Sequence, residues 1–302
     1  MVTKKAAKKT AAKKPAVAKA SSVTTVRTVK AESSEKSTRS SSVFGNNLPN
    51  IVLAELVGTF VLTCVALMTA SDVVPLFVGL TLAALVMVVG GVSGAHVNPA
   101  VTFGLWASNK IKMALVPIYW LSQLLGAAVA LLAVTQLSGA GFSLNFTGHF
   151  AEFSWAIFGV ELIGTAVFLW GLTSVLSRTD LGSAGKSLGV GLSLFVALVV
   201  AGTFYSGVRT QAIADYQEEL SKTSSTESTD ELAIPHEVYV NGATLNPAVA
   251  LAVTETPESE LRQTEPEEGE QEYSRISWEV ILGTLIGAAL GANLTRLIGY
   301  RF

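Results

Sequence analysis

A short motif, Asn-Pro-Ala, occurs twice in this chain and restricts its fold more than any other feature. The two copies are Asn98-Pro99-Ala100 and Asn246-Pro247-Ala248. Asparagine is a preferred N-cap residue and proline suits the first helical turn, so each motif predicts a helix that begins at its asparagine. Each motif closes a small, glycine-containing segment that is too short to cross a bilayer and then opens an apolar run. We therefore expect two half-helices, each with free backbone N–H groups near its asparagine.

The composition is that of a membrane protein. Half of the 302 residues are hydrophobic and 15% are charged, whereas soluble domains contain about 25% charged residues. Six apolar runs reach, or come close to, the roughly 20 residues that a helix needs to span the hydrocarbon core. The predicted spans are Leu48–Ala70, Val73–Gly90, Ala114–Leu137, Ser154–Leu176, Leu188–Phe204 and Trp278–Ile298.

The two halves of the chain resemble each other. The segment Ala54–Phe60, AELVGTF, recurs as Val160–Ala166, VELIGTA. Three spans and one motif follow in each half, and an odd number of spans inverts the second copy relative to the first. The sequence therefore predicts an inverted repeat whose broken helices meet at the membrane midplane. Repeat one covers residues 48–137 and repeat two covers residues 154–300, within a channel domain of residues 46–302.

Basic residues between the spans predict the orientation. They fall consistently on one side, which the positive-inside rule assigns to the cytoplasm, so both termini are expected there. The basic positions are the N-terminal tail, Lys110 and Lys112, Arg178 and Lys186, and Arg296 and Arg301. Two acidic insertions, residues 207–240 and 254–277, then lie outside the cytoplasm, and their composition is typical of solvated loops. An alternative is that they collect cations or cover the vestibule of a pore.

Residues 1–45 form a basic tail that contains no apolar run. The first 39 residues hold 11 of the 21 lysines and arginines of the chain. Such a segment cannot bury a core and is predicted to be disordered on the cytoplasmic side. Two interpretations remain open: a polybasic segment that binds anionic lipid or nucleic acid, or a solvated tail that mainly enforces topology.

Several segments resemble the major intrinsic protein family, the aquaporins and glycerol facilitators. The residues that carry the resemblance are SGAHVNPAVT at Ser93–Thr102, YWLSQLLGA at Tyr119–Ala127 and LIGAALGA at Leu285–Ala292. The resemblance covers about residues 48–300, apart from the two acidic insertions. It implies an all-α membrane protein with six transmembrane helices and two re-entrant half-helices. It also implies a passive channel for water or small neutral solutes such as glycerol, and a homotetramer in the cell membrane.

Residues of both motifs are predicted to form the pore. The amides of Asn98 and Asn246 can orient a passing water or hydroxyl, and two facing helix N-termini repel cations and protons. The alternative for these asparagines is a capping role alone.

Three further residues are predicted to support the pore loops. Glu55 and Glu161 are ionisable residues inside spans, and such residues are functional by default. Either they relay protons or, as the resemblance implies, each accepts hydrogen bonds from the loop of its own half. His96 either braces its loop as a neutral side chain or acts as a pH gate.

The selectivity filter is where the chain departs from the family. The resemblance implies an arginine directly after the second motif, but this chain has Val249 there. The other filter positions correspond to Val78, Leu198 and Ala243. This set has neither a charge nor a side-chain hydrogen-bond donor, so we expect altered selectivity and the loss of one electrostatic barrier to cations.

Two other classes of function are kept as alternatives. A proton-coupled secondary transporter would use Glu55 or Glu161 as its proton site, and a membrane scaffold would have a closed pore. The sequence contains no metal-ligand cluster, nucleophile with a base or phosphate-binding loop. We therefore expect a protein that is not an enzyme and that needs no cofactor.

Overall fold

The computed structural model describes residues 47–139, 145, 153–223, 232–265 and 273–298. The predicted disordered tail, residues 1–45, lies outside these residues. Secondary structure in the described part is helical, with no β-strand beyond isolated bridges. The α-helices are α1 (Leu48–Met68), α2 (Val74–Ser93), α3 (Pro99–Ala107), α4 (Val116–Ser138), α5 (Trp155–Ser177), α6 (Ser183–Thr223), α7 (His236–Tyr239), α8 (Pro247–Ala252), α9 (Glu258–Arg262) and α10 (Trp278–Leu297).

Six of these helices, α1, α2, α4, α5, α6 and α10, are long and apolar enough to cross a membrane, which confirms the prediction of six spans. Their starts follow from local sequence. Prolines lie in the first turns of α1, α2 and α4, where a missing N–H has no consequence. Ser154 and Ser277 cap α5 and α10 by accepting hydrogen bonds from the N–H groups of Ile157 and Val280.

The helices pack as an inverted repeat. Helix α1 lies against α4 in the first half, and α5 lies against α10 in the second. Gly126 of α4 faces the backbone carbonyl of Leu56, and Gly287 of α10 faces that of Leu162, which is the equivalent residue. Neither site has room for a Cβ atom, so glycine allows the same close approach in both halves. Contacts between α2 and α6 join the two halves.

The predicted end of the fifth span was wrong. Helix α6 has 41 residues and continues to Thr223, whereas the sequence suggested a span ending at Phe204 and a solvated loop from residue 207. Such a helix is about 60 Å long, well beyond what the hydrocarbon core requires. Residues 208–223 contain neither glycine nor proline, and nine of these sixteen residues are Ala, Gln, Glu, Leu, Arg or Lys, which favour helix. An ion pair one turn apart, between Glu218 and Lys222 (2.6 Å), adds to this preference.

The interpretation of the acidic insertions as solvated loops was also wrong for several of their residues. His236 and Glu255 are 4% exposed each, and His236 Nε2 lies 2.9 Å from Glu255 Oε1. The Thr256 N–H donates to the Tyr239 carbonyl (2.8 Å), which joins the first insertion to the second. Buried polar groups lose their hydrogen bonds to water, and contacts such as that between His236 and Glu255 replace them. An acidic segment can therefore be buried even though its composition suggests that it is exposed to solvent.

Candidate pore

Both Asn-Pro-Ala motifs begin helices at their asparagines. The Oδ1 atom of Asn98 accepts a hydrogen bond from the Ala100 N–H (2.7 Å), and that of Asn246 accepts one from the Ala248 N–H (3.0 Å). The helices that follow, α3 and α8, have 9 and 6 residues, which is too short to span a bilayer. Pro99 and Pro247 occupy the first helical positions and are buried.

The two loops are joined through the same asparagines. The Nδ2 atom of Asn98 donates to the carbonyl of Leu245 (2.9 Å), and the Nδ2 atom of Asn246 donates to the carbonyl of Val97 (3.1 Å). Because each Oδ1 caps its own helix, the orientation of each amide is determined. One N–H of each amide remains available, so the asparagines present hydrogen-bond donors rather than acceptors to the space beside them.

A strained residue precedes each asparagine. Val97 has φ of 44° and Leu245 has φ of 53°, a left-handed conformation that is unfavourable for side chains of this size. The buried carboxylate of the same half holds each of these residues. Glu55 Oε2 accepts from the Val97 N–H (2.7 Å), and Glu161 Oε2 accepts from the Leu245 N–H (2.9 Å).

The second oxygen of each glutamate is also used by its loop. Glu55 Oε1 accepts from the His96 N–H (3.0 Å), and Glu161 Oε1 accepts from the Thr244 N–H (2.9 Å). The side chain of Gln123 additionally donates to Glu55 Oε2 (2.8 Å). Both carboxylates are completely buried, and these donors satisfy their oxygens in place of water.

The repeated Glu-x-x-Gly spacing has a structural explanation. Gly58 and Gly164 lie one helical turn after the glutamates, on the same face of their helices. A Cβ atom on Gly58 would lie 2.6 Å from Val97 Cγ1, and one on Gly164 would lie 2.5 Å from Leu245 Cδ2. The glutamate therefore holds the backbone of the strained residue while the glycine leaves space for its side chain.

His96 is held by two contacts. Its Nδ1 atom lies 3.1 Å from Thr102 Oγ1, and its ring packs on Tyr119 with 4.5 Å between ring centroids. The hydroxyl of Tyr119 donates to the carbonyl of Ser93 (2.6 Å), which fixes the supporting ring. The side chain is 5% exposed and forms part of a cavity wall.

A cavity of about 270 Å³ extends from the connection between α1 and α2 to the two asparagines. All four positions predicted for the selectivity filter line it: Val78, Leu198, Ala243 and Val249. Among the predicted pore residues, Asn98, Asn246 and His96 also line it. Pro99, Ala100, Pro247 and Ala248 are buried around the two helix starts, and the two supporting glutamates lie behind the wall.

Arg275 also lines this cavity, although the sequence did not predict it as a site residue. Its side chain lies on the cavity wall, so the wall is not free of charge, contrary to what the four filter positions suggested. The residue belongs to the second acidic insertion, which was interpreted as solvated, yet it is only 2% exposed. One signal could have drawn attention to it: it is a cation within three residues of a span on the predicted extracytoplasmic side, against the positive-inside rule.

Comparisons with known proteins agree with this architecture. The sequence profile "Major intrinsic protein" matches residues 51–212, just over half of the chain. "Aquaporin Z" from Photorhabdus laumondii is 32% identical over 191 residues, which cover 54% of this chain and 83% of that protein. "Glycerol uptake facilitator protein-like 6" from Lactiplantibacillus plantarum is 33% identical over 160 residues, which cover 49% of this chain and 74% of that protein.

A solved structure, the aquaglyceroporin from Plasmodium falciparum, aligns with 82% of this chain and 95% of its own, at 20% identity and a TM-score of 0.48. The profile match and the sequence relatives define a multi-pass membrane channel protein. The chain belongs to the major intrinsic protein family.

Proposed function

We propose that this protein is a passive channel that conducts water and small neutral solutes of the glycerol type down their gradients. The observation that carries the proposal is the pair of asparagines in the cavity, each with its amide orientation determined by a cap and by a carbonyl of the opposite loop. A channel needs fixed groups at its narrow part that replace hydration without binding the solute tightly. Two oriented N–H donors meet this requirement.

The same donors oppose conduction of protons and cations. A water molecule beside both asparagines accepts hydrogen bonds from them, so its own hydrogens point away from the centre. A chain of waters hydrogen-bonded in one direction, which proton transfer requires, is then interrupted. Cations meet the positive ends of N–H dipoles rather than oxygen ligands, so they lose hydration without replacement.

The cavity wall favours solutes that have both apolar and polar faces. Apolar side chains of four spanning helices form one part of it, for example Leu62, Phe168 and Leu194. The extended loop of residues 241–244 forms another part and offers backbone polar groups. A small polyol can place its C–H groups on the first part and its hydroxyls on the second, which supports glycerol-like solutes as the second class of substrate.

Proton-coupled transport finds no support in the contacts of the two buried glutamates. All four of their carboxylate oxygens accept hydrogen bonds from loop N–H groups, so protonation would break a loop contact. Support of the loops by Glu55 and Glu161, and bracing by His96, are the roles that we propose. We also propose a homotetramer in the cell membrane with both termini in the cytoplasm, on the basis of the family and of the distribution of basic residues.

Flux through the reconstituted full chain tests the proposal. Proteoliposomes are exposed to osmotic gradients of an impermeant sugar, glycerol or urea, and the volume change is followed by light scattering. We expect water flux, and flux of at least one of the two solutes, above that of empty liposomes, with no uphill accumulation when a proton gradient is imposed. If the rates for water and both solutes equal those of empty liposomes, the channel hypothesis is rejected and the closed-pore scaffold becomes the supported alternative.

Replacing the asparagines tests the observation that carries the proposal. Asn98→Asp and Asn246→Asp keep a capping oxygen but put a carboxylate in place of the donors, so neutral-solute flux should fall or cation leak should appear. Asn109→Asp, an exposed substitution outside the cavity, is the matched control. Unchanged flux and ion tightness in both pore variants would show that these amides do not face the permeating solute.

A further inference from the structure

We propose that Arg275 supplies the fixed positive charge that excludes cations from this channel, in place of an arginine after the second motif. The inference rests on the proposed channel function and specifies its selectivity: cations are excluded and neutral solutes are admitted. Its basis is the burial of the side chain, its position on the cavity wall and the absence of hydrogen-bond acceptors for its guanidinium among the described residues.

Backbone hydrogen bonds of the second acidic insertion, residues 254–277, hold Arg275 close to α8. Its N–H donates to the carbonyl of Val253 (2.8 Å), directly after the end of α8. The preceding residue, Ser274, donates its hydroxyl to the carbonyls of Ala250 (3.0 Å) and Leu251 (2.9 Å), the last turn of α8. The backbone is therefore tied to the half-helix that carries Val249, and the side chain starts from a fixed position.

The guanidinium lies next to the carboxylate that holds the second loop. Its Nη2 atom lies 3.6 Å from Glu161 Oε1, a separation too long for a hydrogen bond. That oxygen already accepts from the N–H of Thr244. The loop and the arginine therefore share one carboxylate, which places the guanidinium along the extended segment that lines the cavity.

The guanidinium of Arg275 lacks hydrogen-bond acceptors in the described part of the chain. None of its three side-chain nitrogens has an acceptor among the residues that the structure describes, although the residue is 2% exposed. An arginine with only a structural role satisfies its five donors with carboxylates or carbonyls, because buried donors without partners are costly. Because these nitrogens are also shielded from solvent, water does not disperse the charge of the guanidinium beside the cavity.

The charge of this side chain has one nearby counter-charge, Glu161, which is 3.6 Å away and outside the cavity lining. In the described part of the chain, Arg275 is the only permanently charged side chain that lines the cavity. Glu161 lies behind the wall with its oxygens engaged, and the buried Glu255–His236 pair is also outside the lining. The first half has no equivalent cation, because Glu55 is approached by the neutral amide of Gln123. A cation in the cavity therefore meets the guanidinium before it meets any carboxylate.

Three variants of the full chain, reconstituted in proteoliposomes, test this assignment. Arg275→Met removes the charge and keeps the length, and we expect potassium permeability per folded channel to rise by about tenfold or more while water flux persists. Adding Val249→Arg to this variant should restore potassium exclusion, because Val249 also lines the cavity. Arg296→Met, an exposed arginine at the far end of α10, is the matched control and should leave both permeabilities unchanged.

A conservative variant separates selectivity from a merely structural role. Arg275→Lys should exclude potassium at about pH 7 and leak as the pH is raised to about 10, because an amine can lose its proton in this range and a guanidinium cannot. The unsubstituted channel should stay tight over the same range. If Arg275→Met does not fold, this pH dependence decides the question.

The outcomes separate two failures. No flux through the unsubstituted protein rejects the channel itself. Normal flux in the unsubstituted protein, with potassium exclusion unchanged in Arg275→Met or independent of pH in Arg275→Lys, overturns the assignment of Arg275 alone. An equal fall of all fluxes in Arg275→Met, without a potassium leak, also overturns it and leaves Arg275 as a brace for Glu161.

Discussion

Val97 and Leu245 adopt a backbone conformation that their side chains disfavour, and two buried carboxylates compensate for it. A left-handed backbone conformation costs a residue such as Val97 or Leu245 on the order of 1–3 kcal/mol. A hydrogen bond to a charged group contributes about 1.5–3 kcal/mol. The glutamate of each half makes two such bonds to its loop, so the contribution is large enough to hold the strained residue in place.

Removing one of these carboxylate acceptors should therefore destabilise the whole loop. Glu55→Gln leaves a buried loop N–H without an acceptor, and we expect the stability of the folded protein to fall by about 1–3 kcal/mol, with lower water flux. Glu161→Gln should have a larger effect, because it also removes the carboxylate nearest to Arg275. Thermal unfolding in detergent, compared with the exposed substitution Glu260→Gln, measures the difference.

The same variants address the proton-relay hypothesis. A relay predicts that proton-dependent uptake is lost while the loop and the stability stay intact. A variant Glu55→Gln with unchanged stability and unchanged water flux would contradict the supporting role that we propose.

At the scale of the helix, α5 shows how one residue type can have opposite effects at two positions. Gly164→Ala would place a Cβ atom 2.5 Å from Leu245 Cδ2 and 2.8 Å from Ala201 Cβ, so we expect a loss of about 1–3 kcal/mol and reduced flux. Gly159→Ala lies on the same helix with no atom within 4 Å, and it should be neutral or stabilise by up to about 1 kcal/mol. Equal unfolding temperatures for the two variants would contradict the role assigned to Gly164.

The helices also show what could and could not be predicted from sequence. Five spans were located to within about three residues at each end, because apolar runs bounded by proline, serine or glycine are governed by local preferences. The end of α6 was missed because hydropathy reports membrane crossing and not helicity: residues 208–223 are polar and yet favour helix. Both half-helix starts were predicted because proline and a capping asparagine act locally.

The position of Arg275 depends on contacts that no local pattern contains. Its backbone is fixed by Val253, and its neighbour Ser274 by the last turn of α8, more than twenty residues earlier in the chain. The Glu-x-x-Gly repeat was visible in the sequence, but its purpose required the side chains of Val97 and Leu245 to be placed. Sequence therefore located the two loops that end in the Asn-Pro-Ala motifs, whereas the position of a charge on the cavity wall could be found only from the folded structure.

Taken as a whole, the molecule is an approximate inverted repeat with an asymmetric cavity. The helices, glutamates, glycines and asparagines correspond between the halves, whereas the permanent charge that the described residues place on the cavity wall belongs to Arg275 in the second half. The acidic insertions are responsible for this asymmetry of the cavity, because they contain Arg275 and the segment that leads into the second loop.

The tail is expected to be dispensable for this architecture. Deleting residues 2–40 should leave the six spans and the flux per channel intact, because that stretch has no apolar run to pack into the bundle. Binding of the full chain to anionic vesicles, reversed by salt and absent from the truncated chain, would support contact with lipid headgroups. Loss of folding or of flux on truncation would show that the tail is part of the channel.

The hydrogen bonds between the two loops have a consequence for synthesis. The carbonyl of Val97 is paired with Asn246, 149 residues later in the chain. At ribosomal rates of about 5–20 residues per second, roughly 7–30 s separate the translation of these two partners. During that interval the Val97 carbonyl and the Asn98 amide lack the partners that they have in the folded protein. Each loop takes a hydrogen-bond partner from the other half, so the paired arrangement of the two loops can form only after the second half has been synthesised.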